Sequence, residues 1–320
     1  MTRPSKEFRV VRASNLPTQL AERAWLVRDI WGHLAVGFIG GQPKSGKTWL
    51  ALDLAVSVSS GTDCLGRFPV DASGPVLAYL AEDSLPSIRQ RLDSLCAHRN
   101  ISLQAIDLHL VDTPGLRLDA DDDKALLVAA VAKLKPRLLI LDPLVRLHAL
   151  DENSAADISA LLGWLRALSR THQLCIAVVH HMSKKSRRQP GQALRGSSDL
   201  HAWADSSAYL TRIQDKLTLT LEHRSAAARP PVPLHLVSGV DGSTPHLEPL
   251  DDSAAPVAST IRQRVVDALR EASAPISRSQ LRSTLRVNNH NLGDALAGLE
   301  RDGVVTRTDA GLSLAPTKPA

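Results

Sequence analysis

Nine residues, Gly40-Gly41-Gln42-Pro43-Lys44-Ser45-Gly46-Lys47-Thr48, constrain this chain more than any others. From Gly41 to Thr48 they fit the pattern G-x-x-x-x-G-K-[ST], a loop that binds phosphate. Glycines at these spacings let the backbone turn tightly, so that successive N–H groups face inward and cradle an anion. Lys47 can then reach β- and γ-phosphates, and the Thr48 hydroxyl can ligate Mg²⁺. Gly41, Lys44, Ser45 and Gly46 complete the nucleotide-binding set, with ATP and Mg²⁺ as the expected ligands. The flanks agree. Residues 34–39 form an apolar run that reads as a buried strand, and residues 48–56 read as a helix whose N-terminus faces the phosphates.

Further along, the apolar segments 76–80, 137–142 and 175–179 read as strands separated by helical stretches. Such alternation predicts an α/β fold with a mostly parallel sheet covered on both faces, whose ligands bind beyond the carboxyl ends of the strands. Glu82, Asp142 and His181 all fall at such ends. Asp142, closing an apolar strand, is the candidate acid for the Mg²⁺ shell together with Thr48. Pro143 follows it instead of a second acid, so the carboxylate that activates water must come from elsewhere. Glu82 is the first candidate and Asp83 its substitute, although an acidic pair also suits a helix start. His180 and His181 stand where a polar side chain could sense the γ-phosphate. No Cys or further His stands at metal-ligand spacing from them.

Residues 183–191 form a basic loop without apolar pattern, carrying Lys184, Lys185, Arg187 and Arg188. It fits either a solvated surface loop or a grip on a nucleic-acid backbone. Arg195, just beyond, is placed to cross to a neighbouring subunit's ATP as an arginine finger, with Arg224 and Arg229 as fallbacks. Segments 209–213 and 217–221 read as a hairpin.

The tail has its own pattern. Residues 241–258 are rich in Pro, Asp, Ser and Gly and read as a linker. Three helices and a hairpin are expected over 259–316, with Ser277 capping the second helix and Gly303 stopping the third. This arrangement is a winged helix-turn-helix, with Asn289 and Arg286 near the front of the third helix, suited to groove and phosphate contacts. The same fold also serves protein contacts. The expected division is thus an arm (1–24), an ATPase domain (25–240), the linker (241–258) and the winged helix (259–316).

Composition sets outer bounds. A chain of 320 residues with 43% hydrophobic content can bury the cores of two domains. Its net charge of +5 permits a nucleic-acid partner, while 3% aromatic content argues against reading single strands mainly by stacking. The three cysteines, Cys64, Cys96 and Cys175, are spaced like reduced thiols. The polar N-terminus lacks a secretory pattern and no apolar run would span a bilayer, so a cytoplasmic protein is expected.

At these motifs the chain resembles the RecA-like ATPases grouped with the RepA-type hexameric replicative helicases of plasmids, often described simply as AAA family ATPases. The resemblance covers about residues 25–240. It rests on the loop at 40–48, Ala-Glu-Asp at 81–83, Leu-Leu-Ile-Leu-Asp at 138–142, His-His-x-Ser-Lys at 180–184 and Arg-Gly-Ser-Ser at 195–198. It implies a RecA-like core, a hexameric ring, ATP hydrolysis at subunit interfaces, and DNA as the moving partner. In that scheme Glu82 is the base, His181 the sensor and Arg195 the finger acting in trans. Two features depart from the family: Glu222-His223-Arg224 stands where related rings can place a Lys/Arg pair, and the tail is an appended module. The expected function is a DNA-dependent ATPase of a plasmid or mobile element, taking single strands at the ring and duplex at the winged helix. The rivals are an ATP-switched DNA-binding regulator without motor activity and a P-loop kinase of a small molecule.

Overall fold

The computed structural model describes residues 10–15, 24–113, 115–151, 154–182, 199–214, 216–237, 244–250, 261–272, 274–285, 289–308 and 311–315. The chain forms two compact units, residues 1–250 and 251–320.

The first unit opens with a short hairpin of β1 (Trp25–Val27) and β2 (Trp31–Gly32). There follow β3 (Val36–Gly41), α1 (Lys47–Ser60), β4 (Val76–Leu80), α2 (Leu85–His98), β5 (Leu108–Leu110) and α3 (Asp121–Leu134). Next come β6 (Leu138–Asp142), α4 (Ala155–His172), β7 (Cys175–His181) and the short α5 (Asp199–Trp203). The unit ends with β8 (Ser206–Ile213), β9 (Lys216–His223), β10 (Val232–Val237) and β11 (His246–Pro249).

Nine strands make one sheet in the order β11-β10-β9-β8-β3-β7-β6-β4-β5. From β8 to β5 the pairings are parallel, and from β8 to β11 they are antiparallel. Strands β3, β4 and β6 are buried along their whole length, which is why they read as unbroken apolar runs. Alternate residues feed two cores. Val76 and Ala78 pack with Leu50, Leu54 and Val58 of α1. Leu77 and Tyr79 pack on the other face with Leu127 and Val131 of α3 and with Ile158, Leu161 and Leu165 of α4.

Helix boundaries follow local chemistry. Ser84 accepts a hydrogen bond from Ser87 N at 3.4 Å at the start of α2, with Pro86 in its first turn. The acidic run Asp121, Asp122 and Asp123 forms the first turn of α3, where carboxylates suit the helix dipole. Gly61, with φ 80°, ends α1.

Three strands of the nine-stranded sheet escape the sequence patterns. β5 is a half-buried edge of three residues, and β10 carries Pro233. β11 lies inside the stretch expected to be linker. Its composition is that of a loop, but His246 and Leu247 are buried and the strand pairs along β10, so the 241–258 assignment is corrected at residues 246–249.

The second unit contains α6 (Ile261–Glu271), α7 (Arg278–Leu285), α8 (Asn289–Arg301) and a hairpin of β12 (Val305–Thr308) and β13 (Gly311–Leu314). Val265, Leu269, Leu281, Leu285, Leu292, Leu296, Leu299, Val305 and Leu312 form its core. Ser277 and Gln280 make a reciprocal cap at α7: Gln280 N donates to Ser277 Oγ at 3.2 Å and Ser277 N to Gln280 Oε1 at 3.0 Å. Gly303, at φ 70°, stops α8. Ile276 bridges antiparallel to Leu312, adding a third chain segment to the hairpin. Among the described residues no helix is long and apolar enough to cross a membrane.

β3 is pressed closely onto β8. A Cβ on Gly37 would stand 1.6 Å from the carbonyl oxygen of Ser206. Gly37→Ala is therefore expected to cost about 3 kcal/mol and lower the melting temperature by roughly 6–12 °C. An unchanged melt by circular dichroism would contradict this packing.

Candidate active site at the phosphate-binding loop

The loop between β3 and α1 is shaped by glycine where nothing larger fits. A Cβ on Gly41 would lie 2.4 Å from Ser45 Oγ and 2.7 Å from the Leu210 carbonyl. Lys44 (φ 62°) and Gly46 (φ 91°) both take left-handed conformations, which curl the loop before α1 begins. Gly46 occupies the N-cap of α1 with no side-chain cap, so no side-chain oxygen there competes with an anion for the helix N-terminus.

Lys47 opens α1 and is buried, with its Nζ donating to the Gln42 carbonyl at 3.0 Å across the mouth of the loop. Burial lowers the pKa of this ammonium, and the charges of Asp142 and Glu82 oppose that effect. Thr48 Oγ1 donates to Asp142 Oδ2 at 2.9 Å. Asp142 is 6% exposed at the end of β6, and burial pushes its carboxyl up to about 6 despite the Thr48 hydrogen bond.

The neighbouring strand supplies the other acids. Leu80 of β4 is in register with Asp142, and Ala81 N donates to the Asp142 carbonyl at 2.7 Å, which ties the Glu82-Asp83 turn to the end of β6. Glu82 Oε1 accepts from Arg146 Nε at 3.0 Å. Asp83 is paired with Arg91 of α2, and Arg91 lies over the Trp49 ring at 5.6 Å.

β7 runs between β3 and β6, with His180 and His181 opposite Gly40 and Gly41. Its alternation separates the two histidines. His180 falls on the face of Ile176 and Val178 and is 1% exposed, its ring 5.9 Å from Phe38. His181 falls on the α1 face and lines the cleft.

That cleft has a volume of about 530 Å³. Lys44, Ser45, Gly46, Lys47 and Thr48 form one wall, and Glu82, Asp142 and His181 approach from the strand ends. Part of the remaining wall comes from much later in the chain. Leu236 of β10 lines the cleft, and the methyl groups of Leu247 of β11 lie 3.9 Å from where a Cβ on Gly46 would be. Ser94 Oγ of α2 fixes this region by donating to the Pro245 carbonyl at 2.7 Å.

The remaining expected site residues fall into two groups. Arg195, Lys184, Lys185, Arg187, Arg188 and Arg286 lie outside the described residues. Asn289 opens α8, in the second unit. Arg224 is at the opposite end of the sheet from the loop, where it donates to the carbonyls of residues 202–204 and pairs with Asp205 at 3.4 Å. Arg229 pairs with Asp29 at 2.8 Å. Both fallback arginines are thus engaged within their own chain.

Trp49, Arg91, Arg146 and Leu236 were not expected near the cleft. The Asp83–Arg91 pair spans a helix start, so it carries no i,i+4 signature. Arg146 follows Asp142 by four residues in a turn without periodicity, and only the sheet order brings it to Glu82.

The family model AAA_25, described as an AAA domain, matches residues 2–187, more than half of the chain. The chain belongs to this AAA domain family. Among solved structures it is similar to the "ATPase Domain of G40P", with a TM-score of 0.51 and 16% sequence identity, covering 68% of this chain and 85% of that one. At that identity the likeness shows the fold, which is RecA-like. The protein is therefore a P-loop ATPase of the AAA domain family, with a nucleotide site at the loop described above.

The Asp142 carboxyl of this ATPase makes a testable pH signature. Its folded pKa of about 6 exceeds the ordinary unfolded value of about 3.9. Between these values the folded form holds a proton that the unfolded form lacks, so the contribution to stability falls as pH rises through about 4 to 6 and is lowest above that window. The difference corresponds to roughly 3 kcal/mol. With divalent cations chelated, Asp142→Asn is expected to raise the urea midpoint at pH 7.5 and to have little effect at pH 4. Equal midpoints at both pH values would show that burial of this charge is not costly.

Proposed function

We propose that this ATPase is stimulated by DNA and works as a ring of identical subunits, a hexamer of the RepA helicase type. The observation that carries the reading is the position of Glu82: an acid at the end of β4, beside Asp142 and facing the same cleft as Lys47 and His181. A site built only to hold nucleotide has no use for a second carboxylate there.

A divalent cation fits this donor set. Thr48 and Asp142 present two hard oxygens 2.9 Å apart, and the raised Asp142 carboxyl marks a buried charge that a cation would relieve. Mg²⁺ bound by these residues would offset phosphate charge as it develops. Lys47 holds the β- and γ-phosphates, and His181 contacts the γ-phosphate from β7. Glu82 accepts the proton of a water whose oxygen bonds to the γ-phosphorus, while the bond to the β–γ bridging oxygen breaks and ADP leaves with the electron pair. Arg195 of the next subunit stabilises the charge at the transferred group.

On this reading the basic loop bearing Lys184, Lys185, Arg187 and Arg188 grips single-stranded DNA beyond the strand ends. The second unit acts as a winged helix-turn-helix on duplex, using Arg286 and Asn289. Three helices followed by a hairpin, with Ile276 joined to Leu312, support that assignment. The cytoplasm suits the buried free thiols of Cys64, Cys96 and Cys175.

Hydrolysis by the purified protein, alone and with single- or double-stranded DNA, tests the proposal. Lys47→Ala and Arg195→Ala are each expected to reduce DNA-stimulated turnover by roughly two orders of magnitude. Mixing Arg195→Ala with Glu82→Gln subunits should restore part of it, because each supplies what the other lacks. Turnover indifferent to DNA and to Arg195 would end the ring reading and favour a regulator in which the second unit binds duplex. Single-strand affinity should also fall with salt, and each loop Lys or Arg replaced by Ala should flatten the logarithmic slope by about 0.7. An unchanged slope would remove the loop from the DNA path.

A further inference from the structure

Helix α2 grips the start of β11 at two consecutive residues. Ser94 and His98 stand four residues apart on α2, one above the other on the same face. Ser94 Oγ donates to the Pro245 carbonyl at 2.7 Å. The His98 ring stacks on that of His246, with centroids 3.5 Å apart and planes 22° from parallel. Leu247 then turns to the opposite side of the strand, as alternation dictates. It is 2% exposed, packs in the core that includes Leu50 and Leu54 of α1, and lies against the phosphate loop at Gly46. One residue thus separates the stack from a side chain that touches the loop.

The His246 ring is fixed in place. Its Nδ1 lies 2.5 Å from the Thr244 carbonyl, which can only accept, so Nδ1 carries the proton of the neutral ring. Nε2 makes no hydrogen bond and faces Glu248 Oε2 at 3.5 Å. His246 is 5% exposed, while His98 covers it from the solvent side. The other charged and titratable groups around the pair come from three elements and the end of α2. His235 of β10 stands 3.6 Å from the second oxygen of Glu248 on β11. Arg99, just past α2, and Asp53 of α1 are joined in an ion pair of 2.6 Å.

We propose that His98 and His246 are positioning residues for the nucleotide: their stacked rings brace β11 against α2, Leu247 thereby holds the phosphate loop in its binding form, and positive charge on the stack loosens that hold. The inference requires only that the loop binds nucleotide, and it is independent of DNA and of ring assembly. Two positive charges on rings this close repel each other. Loss of water on the stacked face, then the neighbouring His246 and Arg99, lower the pKa of His98 from the ordinary 6.5, against the charges of Asp53 and Glu248. A histidine lowered in this way contributes stability that is complete above about 6.5 and is lost as pH falls toward the folded value. Acid therefore works against the brace.

The test uses the full-length protein without DNA. Affinity for an ADP analogue with a methylanthraniloyl group on its ribose is measured beside KM and kcat for Mg·ATP. Wild type is compared with His98→Phe, which stacks but cannot charge, with His98→Lys, which carries a fixed charge, and with His98→Ala. At pH 7.5, His98→Ala and His98→Lys are expected to weaken the analogue and raise KM roughly two- to ten-fold, the range an aromatic pair supplies, with kcat unchanged. His98→Phe should restore wild-type values. As pH falls from 7.5 to 5.5, wild type should lose affinity relative to His98→Phe, a ratio that cancels any titration of the site itself. His98 lies on the surface, so each variant should melt cooperatively, and His98→Gln replaces His98→Ala if that variant does not. Wild-type affinity in both His98→Ala and His98→Lys overturns the inference. So does a His98→Phe as weak as His98→Ala, a wild-type to His98→Phe ratio that stays constant with pH, or a loss confined to kcat.

Discussion

The hydrogen bond from Thr48 to Asp142 joins the start of α1 to the end of β6, although β3 and β6 are not neighbours in the sheet. β7 must lie between them, and it must end where β3 ends. This requirement explains much of the surrounding architecture. The interposed strand carries His181 to the cleft, opposite Gly41. The flank of β6 away from β7 is then free for β4, which delivers Glu82. The same bond brings Asp142 into a dry site, so the carboxyl that suits a cation is also one whose charge is disfavoured in the protein alone.

The parts of the site that could be read from the sequence are those defined by local rules. The loop motif, the apolar strand ending in Asp142, and the acid ending β4 each follow from spacing and burial, and all three fall around one cleft. The choice between His180 and His181 could not be read, because both end the same apolar run. It requires knowing which face of the sheet carries α1. β10 and β11 were hidden for a different reason. Proline and loop-like composition mask short strands whose stability comes from pairing with a preceding strand, not from their own pattern. Arg146 was invisible because a charge pair between two strand ends is set by strand order, which no single segment encodes.

Charge is distributed around the cleft with some economy. Asp142 and Glu82 offset part of the cost of burying Lys47, and Lys47 offsets part of that of Asp142, whereas the like charge of Glu82 adds to it. Asp83 and Arg91 form a closed pair beside them, while Arg146 leaves one edge of its guanidinium unused. A buried ion pair elsewhere shows the contrasting arrangement: Asp53 is bonded to Arg99 at 2.6 Å and to Leu65 N at 2.7 Å, with both side chains almost wholly enclosed. Such a pair holds α1 to the end of α2 and offers nothing to a ligand.

Leu236 lines the nucleotide cleft and Leu247 lies against the loop at Gly46, from positions some two hundred residues after the loop itself. During synthesis, the loop motif leaves the ribosome long before the side chains that will enclose its ligand. β3 likewise waits for β8, against which it packs too closely for any residue but glycine at position 37. The segment matched by the family model ends at residue 187, before either of these partners. It is therefore a unit of sequence kinship but not a unit of folding: a nascent chain halted there would display the phosphate loop on an unfinished sheet edge, exposed to pairing with other chains.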